Sequence, residues 1–207
     1  MAITDYHLDN ERIVGYYSNL IHKYKFDAKA LDWGNQKSQE LRFSILTQIG
    51  QLDGTSVLDV GCGLADLLGY LQRCGISLDY TGYDITPAMI DFAHQRFPHA
   101  HLEIRDLMAN FNPLPQFDYV LASGIFYLRQ VEPMAYLESM IRRMFSLCRR
   151  GVAFNTLSCF ASEQNPNEFY ADPVQMLAMS LKITRYVVIR HDYLPHDFTV
   201  YLYKEER

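Results

Sequence analysis

The chain has 207 residues, 49% apolar and 21% charged, which suits one α/β domain with a full core. Its formal net charge of −5 argues against a nucleic-acid partner, which calls for a surplus of lysine and arginine at the contact face. The four cysteines, Cys62, Cys74, Cys148 and Cys159, form no CxxC pair and no metal-ligand spacing.

No metal is therefore expected. With no signal peptide at Met1-Ala2-Ile3-Thr4-Asp5 and no apolar run of spanning length, the expected setting is the cytoplasm, with no membrane partner. The first predicted element is a helix from Asn10 to Phe26, with Ile13, Tyr17, Leu20, Ile21 and Tyr24 at helical spacing. After a break at Asp32-Trp33-Gly34-Asn35, a second helix is predicted over Ser38–Ile49. Residues 1–50 thus read as a helical cap and 51–207 as the main domain.

Beyond Gly54 the pattern changes. Ser56–Val60 is a short apolar run ending in glycines, the signature of a buried parallel strand. A helix over Leu64–Arg73 closes at Cys74-Gly75, and Asp79–Tyr83 is the next strand. Thr86 and Pro87 open a helix to Phe97. Leu102–Arg105 and Phe117–Ala122 are strands, Met134–Leu147 is a helix and Gly151–Asn155 a strand. Asp172-Pro173 starts the last helix. Arg142, Arg143, Arg149 and Arg150 cluster at a helix end, where cations complement the dipole. Strand and helix alternate throughout, as in a parallel sheet covered on both faces. Thr184–Arg190 and Phe198–Tyr203 break the rule. Only a turn containing Pro195 joins them, so they form an antiparallel hairpin.

Asp59-Val60-Gly61-Cys62-Gly63 carries the first chemical signal. Strand, two glycines and a helix N-terminus let a ligand approach the backbone. That suits either a dinucleotide or S-adenosylmethionine (SAM). A dinucleotide fingerprint wants a small residue where Asp66 stands. Asp59 is a further charge unwelcome near pyrophosphate, and it favours a ligand with an ammonium group. At the tip of the next strand, Asp84 is placed to accept from both ribose hydroxyls. Asp106 ends the third strand; it is either a loop aspartate or a partner for an adenine amino group, with Leu107 on the ring.

The motifs V-L-D-V-G-C-G at 57–63, Y-D-I-T-P at 83–87, R-D-L at 105–107 and F-D-Y-V-L-A-S-G at 117–124 together resemble the class I SAM-dependent methyltransferases. The resemblance covers about Val57 to Phe154, and the hairpin extends it to the C-terminus. It implies a seven-stranded, mostly parallel sheet with helices on both faces and a C-terminal antiparallel hairpin. It further implies that Gly61, Cys62 and Gly63 pack against the methionine part of SAM and that Asp84 holds the ribose. Ile85 and Leu107 would sandwich the adenine, Asp106 would contact it, and Ser123-Gly124 would pass beneath the cofactor. Tyr17 and Tyr24 match a looser Y-x6-Y pattern on a helix that closes over SAM. Ala65 departs from the pattern where many relatives have a third glycine.

The chemistry so implied is methyl transfer by in-line displacement, leaving S-adenosylhomocysteine (SAH) as product. The acceptor is expected beyond the cofactor, at the C-terminal ends of the parallel strands. Candidate contacts are Trp33, Phe126, Tyr127, Phe160 and Tyr170. His191 and His196, in the last turn, are the candidate general bases; otherwise they are exposed turn histidines. The N/D-P-P-Y signature of base-nitrogen methylation is absent after strand four. A helical cap and many aromatics favour a small, partly apolar acceptor or a carboxylic acid. The resemblance includes trans-aconitate-methyltransferase-like enzymes, although no residue set for a tricarboxylate is evident. Alternatives are a protein side-chain methyltransferase and a non-catalytic SAM-binding protein.

Overall fold

A computed structural model describes residues 4–25, 35–109, 114–128 and 130–206, so Trp33 lies outside the described residues. Two helices come first, α1 (Thr4–Tyr24) and α2 (Gln36–Leu46), the latter followed by a 3-10 turn over Thr47–Ile49. Then follow β1 (Ser56–Val60), α3 (Asp66–Arg73), β2 (Asp79–Asp84), α4 (Pro87–Arg96), β3 (His101–Ile104) and β4 (Phe117–Ala122). The chain continues through α5 (Pro133–Leu147), β5 (Cys148–Ser158), β6 (Tyr170–Ala171), α6 (Pro173–Ser180), β7 (Tyr186–Leu194) and β8 (Asp197–Tyr203).

The sheet order is β3-β2-β1-β4-β5-β8-β7, with the two-residue β6 paired to β5. β1 to β5 pair in parallel, whereas β8 runs antiparallel to both β5 and β7. This is the class I methyltransferase architecture. The order reverses between β1 and β4, and a parallel sheet opens a crevice at the strand tips where that happens.

The central strands are largely buried along their length because successive side chains face opposite covered sides. Leu58, Val120, Val152 and Val200 belong to one buried cluster with Leu137, Ile141 and Met144 of α5. Val57, Leu121, Ala153 and Tyr201 belong to another, with Phe43, Ile45 and Leu46 of α2 and Leu67 and Leu71 of α3. α2 is therefore a flanking layer of the sheet. α1 packs through Ile21, fully buried, against Leu64 and Met89, so it reaches over the glycine loop and α4.

Several boundaries differ from the sequence expectation. α3 starts at Asp66 because Ala65 has a left-handed backbone, φ 56°, which ends any helix there. β5 extends to Ser158, and β7 runs on to Leu194, taking in His191. Thr86 occupies the N-cap of α4 without a side-chain bond. Asp172 caps α6 through its side chain, as its sequence position suggested. The arginine cluster answers to neighbouring carboxylates: Arg142 pairs with Glu138, and Arg149 and Arg150 face Asp118. Among the described residues no helix is long and apolar enough to cross a membrane, and no group of three or more His, Cys, Asp or Glu side chains could hold a metal ion.

Candidate active site

The chain leaves β1 through Gly61 (φ 70°) and Gly63 (φ 52°), both in the left-handed region that glycine adopts without strain. The loop is strapped to the end of β2, since Gly61 N–H and Cys62 N–H donate to the Tyr83 carbonyl at 2.7 and 3.0 Å. Gly61 also has no room for a side chain: a Cβ there would lie 2.2 Å from Ile125 Cγ2.

Asp84 joins loop to strand tip. One carboxylate oxygen accepts the Gly63 N–H at 2.9 Å and the other accepts the Thr86 N–H at 2.8 Å. Each oxygen keeps acceptor capacity for a further donor. Burial pushes the Asp84 carboxyl up, and the Thr86 and Gly63 amides pull it back.

Three more carboxylates surround this pair. Asp59, 3% exposed, accepts from the Tyr80 hydroxyl at 2.6 Å. Burial pushes its pKa up to about 7; the Tyr80 bond opposes the rise, while Asp84 and Asp66 add to it. Asp66 accepts from Gln39 Nε2 at 3.1 Å and Arg96 at 2.5 Å, tying α2 and α4 to the start of α3. Asp106 accepts from Met108 N–H at 2.7 Å and from Asn10 Nδ2 of α1, also at 2.7 Å.

On the far side, the chain leaves β4 through Ser123 and Gly124, the latter at φ 77°. Buried Asn155 accepts from Gly124 N–H at 3.0 Å and donates to Ser123 Oγ at 3.1 Å. Three residues further on, the Tyr127 hydroxyl meets that of Tyr17 at 2.7 Å, a second polar tie between α1 and the strand tips.

These groups line one cleft of about 1040 Å³, mouth included. It brings together Asp59, Gly61, Cys62, Gly63, Asp84, Ile85, Asp106, Leu107, Ser123, Gly124 and Tyr17, all nominated from sequence for a cofactor, and Tyr127, nominated for an acceptor. Tyr24 is not among the lining residues; it packs beside Ile21, Leu64 and Met89. Phe126 belongs to the core, 3% exposed and edge-on to Tyr136 and Phe154, because the residue between Ile125 and Tyr127 turns inward.

The other candidates also lie off the cleft. Phe160 is 65% exposed beside His191, whose ring in turn sits edge-on to Phe198. His196 lies 3.3 Å from Arg42, which is itself bound to buried Asp197. Tyr170 donates to Glu168. Among the described lining residues there is no histidine. Sequence reasoning missed Asn10, Gln39, Arg96 and Asn155. Asn155 left a trace, an amide closing the apolar run Val152-Ala153-Phe154; the others are polar residues on helices and carry no local signal.

The cleft wall is rich in carboxylates, of which Asp66 is paired with Arg96. Asp59, Asp66, Asp84 and Asp106 line the cleft, and Arg105, the one cation among its described lining residues, is held by Glu103 at 2.9 and 2.6 Å. Such a cleft attracts a cation and repels a phosphate.

Comparison with known proteins gives matching results. Residues 57–151 match the family model described as "Methyltransferase domain". A Mycobacterium tuberculosis protein named "Putative methyltransferase Rv1506c" is 32% identical over 163 residues, spanning 75% of this chain and 97% of the relative. The fold is similar to that of magnesium protoporphyrin IX methyltransferase from Synechocystis PCC 6803 crystallised with SAH, with TM-score 0.69, 13% identity, and coverage of 97% of this chain and 100% of that one. A SAM-dependent methyltransferase from Archaeoglobus fulgidus gives TM-score 0.66 at 16% identity, over 91% of this chain and 100% of the other.

Proposed function

The chain belongs to the methyltransferase-domain family, and from that premise we propose that its cleft binds SAM and directs the methyl group to a small, partly apolar acceptor, leaving SAH. The observation that carries the reading is the charge of the cleft. Four carboxylates around a glycine loop suit a ligand that combines an ammonium, a sulfonium and a hydroxylated ribose, and they disfavour a pyrophosphate.

The residues fit such a ligand part by part. Asp84, fixed by two backbone amides, is the acceptor for the ribose hydroxyls. The Gly61-Cys62-Gly63 backbone, with Asp59 and Asp66 behind it, takes the methionine end. Ile85 and Leu107 offer apolar faces for the base, and Asp106 an acceptor at its edge. When bound, the cofactor supplies a methyl group on a positively charged sulfur.

The chain's own contribution is positioning, which can offset roughly 7–11 kcal/mol of barrier. Asn155 holds the turn at Ser123-Gly124, which in turn carries Tyr127 into the cleft wall. α1 covers the cleft through Asn10 and Tyr17, excluding water and supporting a small acceptor over a protein side chain. His191 and His196 lie away from the cleft, which supports positioning rather than a histidine base. With Arg105 engaged by Glu103, a tricarboxylate acceptor finds no support. Four unpaired thiols favour a reducing, cytoplasmic setting.

Titration calorimetry with SAM, SAH and NAD tests the reading. SAM and SAH should bind and NAD should not; binding of NAD alone would overturn it. A labelled-methyl screen over small acceptors should then show transfer.

A further inference from the structure

β7 is the outer strand of the sheet, so one of its edges has no partner strand among the described residues. An open edge presents a row of N–H and C=O groups that can template another strand, and proteins commonly blunt it with lysine, proline or a bulge. Tyr186–Leu194 contains neither lysine nor proline. The irregularity in its pairing with β8 falls beyond Arg190, which leaves Tyr186-Val187-Val188-Ile189-Arg190 as a regular stretch with an open edge.

The surroundings of that edge are apolar on both faces. On the face shared with α2, Tyr186 and Val188 are each 40% exposed. On the opposite face α6 packs against β7, and its only polar residues are Gln175 and buried Ser180. A helix that is apolar nearly all round calls for cover on more than one side. Yet Val174, Leu177 and Leu181, the last at its C-terminal cap, are 70, 38 and 50% exposed.

A second copy of this chain fits that edge. Antiparallel pairing of β7 with itself about a twofold axis at Val188 sets Val188 opposite its counterpart, Val187 opposite Ile189 and Tyr186 opposite Arg190. Arg185 comes level with His191 and Asp192 of the other copy, so opposite charges close the paired stretch. Directly opposed residues share a face, so the axis is perpendicular to the sheet and both α6 helices lie on one face of the joined sheet. A helix over the outer two strands lies about one strand spacing, ~4.8 Å, from the seam. Two such helices stand roughly 10 Å apart, close to the distance at which helices pack. Covering the strand edge, the exposed apolar side chains and their rim would bury on the order of 800 Å² per copy, the size of a standard interface.

We propose that this chain forms a symmetric dimer by joining β7 to β7 of a second copy, with the two α6 helices side by side across the seam. Such a dimer supplies partners for the open backbone groups and cover for the exposed apolar residues together.

The test is sedimentation equilibrium of the full chain, with and without a charge at the axis. Wild type should sediment at twice the chain mass. Val188→Lys sets two like charges opposite each other and should weaken dimerisation by about a hundredfold or more, and Val188→Asp should do the same. Cooperative melts like that of wild type report that each variant is folded. An equimolar mixture of the Lys and Asp variants should recover the dimer, because only a contact of residue 188 with its own counterpart pairs the opposite charges. A monomeric wild type overturns the proposal and leaves the α6 face to a partner of another kind. A Val188→Lys protein that still dimerises, or a mixture that stays monomeric, overturns it as well.

Discussion

Asn155 of β5 and Gly124, just past the tip of β4, are joined, the amide oxygen of one accepting the N–H of the other at 3.0 Å. The glycine is in the left-handed region, so this bond fixes the direction in which the chain leaves β4. Asn155→Ala removes the acceptor and the donor to Ser123 together. Denaturant melts should show a loss of about 1–3 kcal/mol, the cost of an orphaned buried donor, and calorimetry should show weaker SAM binding. Asn155→Asp keeps an acceptor for Gly124 and reverses the bond to Ser123, whose hydroxyl must then donate, at the cost of burying a carboxyl group. If Asn155→Ala melts like wild type, the turn holds itself and Asn155 is not its support.

Asp84 bridges the loop and the ribose site, so its removal acts twice. Asp84→Ala should weaken SAM binding more than tenfold, because hydrogen bonds to a charged acceptor contribute about 1.5–3 kcal/mol. It also strips the partner from Gly63 N–H and Thr86 N–H, so the apo protein should be less stable too. Unchanged SAM affinity by calorimetry would place the ribose elsewhere.

Much of this arrangement was legible in the sequence because it is local. Val57 to Gly63 and Tyr83 to Asp84 place strand, turn and carboxylate within a few residues, and strand tips in a parallel sheet converge by topology alone. The hairpin was readable from the missing helix between its strands. Boundaries were not, where the backbone was decided by distant partners. β6 is two residues long and exists only because β5 extends to receive it. His191 reads as a turn residue, yet β7 continues through it, across an irregularity between Arg190 and Leu194 in its pairing with β8. Phe126 and Tyr127 look alike as neighbours in sequence, and only the packed structure sends the first into the core and the second to the cleft. Asn10 and Gln39 were illegible for the same reason: each meets a carboxylate far along the chain.

The close approach of Gly61 to Ile125 lends itself to a double-mutant cycle. Gly61→Ala places a methyl 2.2 Å from Ile125 Cγ2 at a φ of 70°, so it carries both a clash and a backbone penalty. A loss of roughly 2–4 kcal/mol is expected in denaturant melts. Trimming the neighbour in Gly61→Ala/Ile125→Ala removes the overlapping atom and should leave about the backbone penalty of 1–2 kcal/mol plus the cost of the Ile125 truncation. Strict additivity of the two changes would show that the loop moves away from β4 instead of packing on it.

The pH dependence follows from Asp59. Its pKa, raised by burial to about 7 from 3.8, means that the folded protein holds a proton there which the unfolded chain releases. Stability from this group is therefore complete below pH 4 and is lost as the pH rises toward 7, by an amount on the order of 4 kcal/mol. Asp59→Asn stays neutral and keeps an oxygen for the Tyr80 hydroxyl, so the difference in stability between it and wild type should be flat at low pH. That difference should grow in favour of the variant between pH 4 and 7 and level off above. A cationic ligand beside Asp59 favours the ionised form, so SAM binding near pH 7 should release up to about half a proton. Calorimetry in buffers of different ionisation enthalpy measures that release directly, and Asp59→Asn should abolish it. Equal proton release from both proteins would show that Asp59 is not the group that answers the cation.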